Sequence, residues 1–257
     1  MRRRRCVPAT GRAITLAPVN LVLLEPAELG HPLPLADRRA RHILAVLRRS
    51  VGDTFDAGVI DGPRGKATLT AIDAAAIAFS FEATAPPAPP EPIALIVGLP
   101  RPQTARDILR DATTLGASAL HFVRTQKGEA SYAQSALWTA GEWRRHAIAG
   151  AEQAFATTLP AVSHGRSIVE VVGAIAPGSM RLALDNYESP VALGAAPLRL
   201  DAPVVLAVGG ERGWSAAERS LLRAEGFAFT HLGPRVLRAE TAVIAALTIL
   251  RTRRGLM

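Results

Sequence analysis

The stretch Val204-Val205-Leu206-Ala207-Val208-Gly209-Gly210-Glu211-Arg212-Gly213-Trp214-Ser215 decides the fold. Its five leading apolar residues predict a buried strand. The glycines at 209, 210 and 213 predict a tight loop. Ser215 followed by Glu218 forms a capping box, which predicts a helix. Further on, a second short strand ends in Leu232-Gly233-Pro234-Arg235-Val236-Leu237-Arg238-Ala239-Glu240-Thr241-Ala242 and runs into an apolar helix from Val243 to Leu250. Each loop leaves the C-terminal end of a strand and opens a helix, the place where an α/β protein usually holds a ligand.

Working back from this segment, strands and helices alternate. Strands are predicted at Ile93–Leu99, Ala119–Arg124 and Met180–Leu184. Helices are predicted over Thr104–Leu115, ended by Gly116, and from Ser135 to about Ala156, carrying Arg144, Arg145 and His146. Ser167 and Glu170 form another capping box and open a further helix. Apolar strands alternating with helices predict a mostly parallel sheet covered on both faces, hence an α/β domain over residues 93–257.

The proline-rich segment 85–92 reads as a stiff linker and the clearest boundary in the chain. Before it, residues 19–84 change character. Thr54–Ile60, Lys66–Ile72 and Ile77–Ala83 alternate as strands do, with a turn at Asp61-Gly62-Pro63-Arg64-Gly65. A small β-barrel with one helix is expected. Asp37 is placed to cap that helix, with His42, Ile43, Val46 and Leu47 inward and Arg38, Arg39, Arg41, Arg48 and Arg49 around the rest. Such a basic helix is either a solvated face or an RNA contact. Residues 1–18 read as an extension, with Val19 as a candidate translation start.

The chain has 257 residues, 30 Lys+Arg against 22 Asp+Glu and a formal charge of +8, which favours a polyanionic partner, in the cytosol mostly nucleic acid. The counterweight is that all but Lys66 and Lys127 are arginines, as an arginine-rich proteome would give. A single cysteine excludes an internal disulfide framework and a cysteine-based zinc site, and no metal is expected. No apolar run reaches the roughly 20 residues of a membrane span. The basic start lacks a continuous apolar run after it, so the expected compartment is the cytoplasm.

Gly209, Gly210 and Gly213 would let backbone approach a ligand, and helix N-terminal amides favour negative charge. A plain tight turn explains them nearly as well. The loop lacks a P-loop lysine and does not match Rossmann spacing. Arg235, Arg238 and Glu240 crowd an otherwise apolar segment, so they are either paired with one another or functional.

The segment Leu232–Ala242 resembles the C-terminal signature of the bacterial small-subunit ribosomal RNA uridine-N(3)-methyltransferases, members of the knotted SPOUT superfamily. Val208–Ser215 is similar to that family's glycine-rich loop, Ala151-Glu152-Gln153 to its "AEQ" helix, and His42–Arg48 to its N-terminal motif. Gly210 replaces the loop's usual proline, Arg212 a glycine, and Arg101 the lysine after the first strand of the catalytic domain. Ala112-Thr113-Thr114-Leu115-Gly116 lacks the family's glutamate, and the arginine that normally follows "AEQ" is absent.

The resemblance implies a C-terminal trefoil-knot domain preceded by a PUA-like RNA-binding barrel. It further implies S-adenosylmethionine as methyl donor, small-subunit ribosomal RNA as substrate and a homodimer. Leu184, Val208, Gly209, Gly210, Glu211, Gly213, Leu232, Gly233, Val236 and Leu237 would hold the cofactor. Arg238 would stabilise a uracil anion or orient a phosphate, Glu240 would fix its guanidinium, and Glu211 is a candidate base. Arg38, Arg39, Arg41, Arg48, Arg49, Arg101 and Arg235 would contact RNA. Methylation of another RNA position, such as a ribose 2′-hydroxyl, and a non-catalytic role in ribosome assembly are the alternatives.

Overall fold

The computed structural model describes residues 21–257; the predicted extension and the candidate start at Val19 lie outside them. The N-terminal part contains β1 (Val22–Leu24), β2 (Leu33–Pro34), α1 (Arg38–Arg41), β3 (Thr54–Val59), β4 (Arg64–Ile72) and β5 (Ala76–Ala85). They form one sheet in the order β1-β3-β4-β5-β2, antiparallel except for the β1–β3 pair. The expected barrel is present in part, as a half-barrel. β1 and β2 lie at opposite edges and do not pair, so the sheet stays open. Phe55, Leu69, Ile77 and Ile43 fill its concave side.

The basic helix is also shorter than its pattern suggests. Asp37 caps α1 by accepting from the Arg39 amide at 2.7 Å, as expected. From His42 the chain widens into a π turn, and it stops where Arg48 takes a φ of +52°. The widening turns Val46 outward to 63% exposure, against the prediction, while Ile43 stays fully buried.

The proline segment is shorter than predicted, since β5 runs through Ala85 and β6 (Glu91–Gly98) already includes Pro92. β6 opens the second part. There follow α2 (Pro102–Thr114), β7 (Ala117–Arg124), α3 (Ala136–Thr139), α4 (Trp143–Gln153), β8 (Ala161–Ser167) and α5 (Ile168–Val172). Then come β9 (Met180–Leu184), β10 (Val191–Ala192), β11 (Val204–Val208), α6 (Ala216–Ala224), β12 (Ala228–His231) and α7 (Ala239–Arg253). Gly116 ends α2 with a φ of +79°, the left-handed geometry its position predicts. The single helix expected from Ser135 to Ala156 is instead two, because Gly141, at a φ of +70°, turns the chain between α3 and α4. The edge strands β8 and β10 are too polar or too short to show in the pattern.

All seven strands run parallel, in the order β10-β12-β9-β11-β6-β7-β8. Side-chain alternation feeds two cores. Ile93, Leu95, Leu182, Leu206 and Val208 face α2 and α7, with Leu247 and Leu250 over them. Ile96, Ala183, Val205 and Ala207 face α5 and α6, where Trp214 is fully buried.

The two parts are joined through α4 and the loop after it. Leu21, Leu23 and Ile60 pack on Ala151, Ile148 and Phe155. Arg144 pairs with Glu25, and Arg38 reaches Glu152 at 3.2 Å. Arg64 donates to the Phe155 carbonyl at 2.9 Å, and Thr157 Oγ1 to the Gly62 carbonyl at 2.7 Å. Gly150 lets α4 pack closely on α2: a Cβ there would stand 2.2 Å from the Arg110 carbonyl oxygen.

Candidate active site

β11 lies between β6 and β9, two strands formed earlier in the chain, and on either side of it the sheet grows in opposite directions. The loops after β6, β9, β11 and β12 therefore meet above the C-terminal edge of a parallel sheet at a switch point, where such sheets bind ligands. Between them opens a cleft of about 820 Å³.

Its position follows from backbone geometry. Gly213, at a φ of +62°, closes a turn by donating its amide to the Gly210 carbonyl at 2.9 Å. A Cβ on Gly209 would stand 2.9 Å from the Gly213 Cα, so this turn needs glycine at both places. Ser215 and Glu218 form the predicted capping box at the start of α6. Trp214 Nε1 donates to the Leu184 carbonyl at 3.2 Å, tying the glycine loop to the end of β9. Gly233 has a φ of +106° and donates its amide to His231 Nδ1 at 3.0 Å, shaping the loop before α7.

Most of the predicted ligand residues line this cleft: Leu184, Val208, Gly209, Gly210, Glu211, Gly213, Leu232, Val236 and Leu237, together with Arg238 and Glu240. Gly233 does not; it bends the loop that carries its neighbours. Arg101 lines the cleft, but its amide and its Nε both donate to Glu211 Oε1, at 2.9 and 3.4 Å. That bond fastens the glycine loop to the start of α2.

The charged groups lining the cleft sort themselves by partner. Asp107 pairs with Arg110, Asp185 with Arg219, Glu211 with Arg101, and Arg212 with Glu129. Arg238 and Glu240 pair with nothing among the described residues. The expected Glu240 clamp on the Arg238 guanidinium is therefore corrected. Arg238 is the N-cap residue of α7 and exposed, while half-buried Glu240 lies in the helix's first turn.

Of the remaining arginines, Arg39 is committed to structure. It donates to both carboxylate oxygens of Glu28, at 2.6 and 2.5 Å, to Asp37 and to the Leu23 carbonyl. Its guanidinium holds the Glu28 and Asp37 carboxyls below their ordinary range. Arg41, Arg48, Arg49 and Arg235 are exposed. The "AEQ" residues Glu152 and Gln153 face Arg38, Arg39 and His42 across a smaller cleft of about 160 Å³.

Sequence reasoning missed the loop after β9. Asp185, Asn186 and Tyr187 line the main cleft, and Asp185 is buried with its carboxylate 2.7 Å from Arg219 Nε. An aspartate directly after an apolar strand was the available signal. Among the described residues no group of three or more His, Cys, Asp or Glu is placed to hold a metal ion, and no helix is long and apolar enough to cross a membrane.

A parallel sheet with a cleft at this edge serves many enzymes, and the sequence gives the class: the family described as RNA methyltransferase domain matches residues 87–251. The chain is 36% identical over 242 residues to the ribosomal RNA small subunit methyltransferase E of Treponema pallidum (strain Nichols), covering 90% of each chain. It is 33% identical over 220 residues to the protein of the same name from Synechocystis, covering 83% of this chain and 70% of that one. The chain belongs to the ribosomal RNA small subunit methyltransferase E family. A crystal structure of the Neisseria gonorrhoeae member, bound to S-adenosyl methionine, has the same fold: the TM-score is 0.74 at 25% identity, covering 91% of this chain and 97% of that one.

Proposed function

We propose that this chain methylates N(3) of a uridine in small-subunit ribosomal RNA, with S-adenosylmethionine as donor. One observation carries the reading. Among the described residues lining the cleft, a single cation, Arg238, and a single carboxylate, Glu240, are left without ionic partners, on the segment that most resembles the family.

The cleft fits the donor chemically. Leu184, Val208, Leu232 and Leu237 offer apolar walls for an adenine, and the glycine loop leaves backbone groups accessible for polar contacts. The donor supplies an electrophilic methyl group on a sulfonium. Uridine N(3) attacks only after losing its proton, and the resulting anion spreads over the two flanking carbonyls. Arg238 lines the cleft where that charge develops, and a cation placed there stabilises it. Glu240 takes up the N(3) proton. Glu211 is held by Arg101 and keeps the loop in place. The target base must leave its stack to enter the cleft.

The same reading takes the N-terminal sheet as a PUA-like RNA-binding domain ending near Ala85, with Arg41, Arg48, Arg49 and Arg235 on phosphates. It takes the C-terminal domain as a trefoil knot, supported by the insertion of β11 between earlier strands. It also includes a homodimer, supported by the exposed apolar Val236 and Ile244 beside the cleft; sedimentation at twice the chain mass tests that part.

The test of function is to incubate the purified protein with S-adenosylmethionine and small ribosomal subunits, then analyse RNA nucleosides by mass spectrometry. N(3)-methyluridine is expected. A ribose 2′-O-methyl product would mean a different target atom. No transfer and no cofactor binding by calorimetry would leave an RNA-binding assembly factor.

A further inference from the structure

Tyr187 is 82% exposed, yet it stands on a turn tied by several hydrogen bonds. β9 ends at Leu184, and the next residue, Asp185, is only 6% exposed. Asp185 Oδ1 accepts from the amides of Tyr187 and Glu188, each at 2.8 Å. Its Oδ2 accepts from Arg219 Nε at 2.7 Å, and its carbonyl accepts from Ser189 Oγ at 2.6 Å. The Asp185 amide donates to Thr230 in the neighbouring strand at 3.0 Å. Arg219, buried on α6, then extends beneath the Tyr187 ring, 5.4 Å from guanidinium carbon to ring centroid.

The aromatic ring is thus backed by a cation on one face, carried on a hydrogen-bonded turn, and otherwise presented to solvent where it lines the cleft. The cation–π contact gives only a small stabilising reason for this. An exposed ring adds little burial, and the ion pair beneath it is complete without the ring. An exposed ring beside a site for a flipped nucleotide has a direct use: every base has a π-face, and stacking on an aromatic side chain is the common way proteins hold unpaired RNA bases.

We propose that Tyr187 is the platform on which a base of the RNA substrate stacks as it enters the cleft, with Arg219 and Asp185 as the residues that position the ring. The inference rests on the RNA-methyltransferase reading above. An RNA base suits the ring better than the adenine of the donor does. Among the cleft-lining residues, the apolar Leu184 and Val208 are almost wholly buried, whereas Tyr187 is 82% exposed and open to a large ligand.

The test uses the full-length protein and the variants Tyr187→Ala, Tyr187→Phe and Tyr187→Trp. Methyl transfer is measured against RNA concentration at saturating S-adenosylmethionine, RNA affinity by filter binding, and donor affinity by calorimetry. Tyr187→Ala is expected to lower kcat/KM for RNA by roughly 10- to 100-fold, the range that losing one base stack gives. The Phe and Trp variants should stay near wild type, and donor affinity should stay within about 2-fold in all of them. The proposal is overturned if Tyr187→Ala leaves both RNA kinetics and RNA affinity unchanged. It is equally overturned if the donor's Kd rises in parallel, which would assign the ring to adenosine, or if Phe is as poor as Ala, which would assign the role to the hydroxyl. Absence of any wild-type transfer would defeat the functional reading instead, and RNA affinity of the same variants would still decide the role of the ring.

Discussion

Gly98 and Gly210 meet backbone to backbone: a Cβ on Gly98 would stand 2.6 Å from the Gly210 amide nitrogen. Gly98 ends β6 and Gly210 sits in the loop after the neighbouring strand β11, so this contact seats the glycine loop on the sheet. A side chain at 98 meets the Gly210 backbone first and the Thr125 Cγ2 methyl next, at 3.0 Å.

Gly98→Ala should therefore lift the glycine loop while leaving the buried strand register intact. The expected cost is roughly 1–3 kcal/mol of overpacking, placed where the donor binds. S-adenosylmethionine affinity by calorimetry should fall about 10-fold or more. Wild-type affinity in a well-folded Gly98→Ala protein would mean that the loop is not seated by this contact.

Arg238→Ala should reduce kcat about 100- to 1000-fold, the usual loss when one fixed group facing a developing anion is removed. Donor affinity should change little, because the apolar walls and the glycine loop are untouched. Arg238→Lys should recover part of the loss, a point charge replacing a planar one. Since Glu240 makes no ion pair with Arg238, Glu240→Gln should lower kcat without altering stability. Single-turnover rates with saturating RNA measure both; unchanged rates in either variant would remove that residue from the chemistry.

The parallel sheet and the ligand-facing loops were legible because buried strands carry continuous apolar runs and helix starts carry capping boxes. Ser167–Glu170 and Ser215–Glu218 both form as read. What was not legible depends on contacts distant in sequence. No local pattern says that Arg39 faces Glu28, that Gly141 breaks a helix rather than ending one, or that β1 and β2 take opposite edges of the first sheet. Most residues to which the family resemblance points line the cleft, but it did not reveal Asp185, whose ion-pair partner lies 34 residues away on α6.

Glu218 does more than cap α6. Its Oε2 accepts from the Ser215 amide at 2.8 Å, and its Oε1 accepts from the Gln126 amide at 2.7 Å, joining the loop after β7 to the loop after β11. Lys127 reinforces the junction by donating to the Trp214 carbonyl at 2.9 Å. Glu218→Ala would strand two amides and should cost about 2–4 kcal/mol. Ser215→Ala, which removes one cap bond, should cost about 1 kcal/mol. Urea denaturation measures both, and equal losses in the two variants would show that the Gln126 bond contributes nothing.

The Arg39 cluster predicts how stability depends on acid. Hydrogen bonds from Arg39 hold the Glu28 and Asp37 carboxyls below their ordinary values. A carboxyl with a lowered folded pKa adds stability that is fully present above its unfolded pKa, roughly pH 4. That stability is lost as pH falls through the lower folded value. Because these side chains are 18–28% exposed, solvent screening limits the effect to about 1–2 kcal/mol. Urea midpoints of the wild type should therefore drop steeply between about pH 5 and pH 2, and those of Arg39→Met, lower at neutral pH, should drop less. The same variant separates structure from binding. Arg39→Met should leave the salt dependence of RNA affinity unchanged, while neutralising Arg41, Arg48 and Arg49 together should flatten it. Parallel acid slopes in wild type and Arg39→Met would show that the cluster does not hold its carboxyls as described.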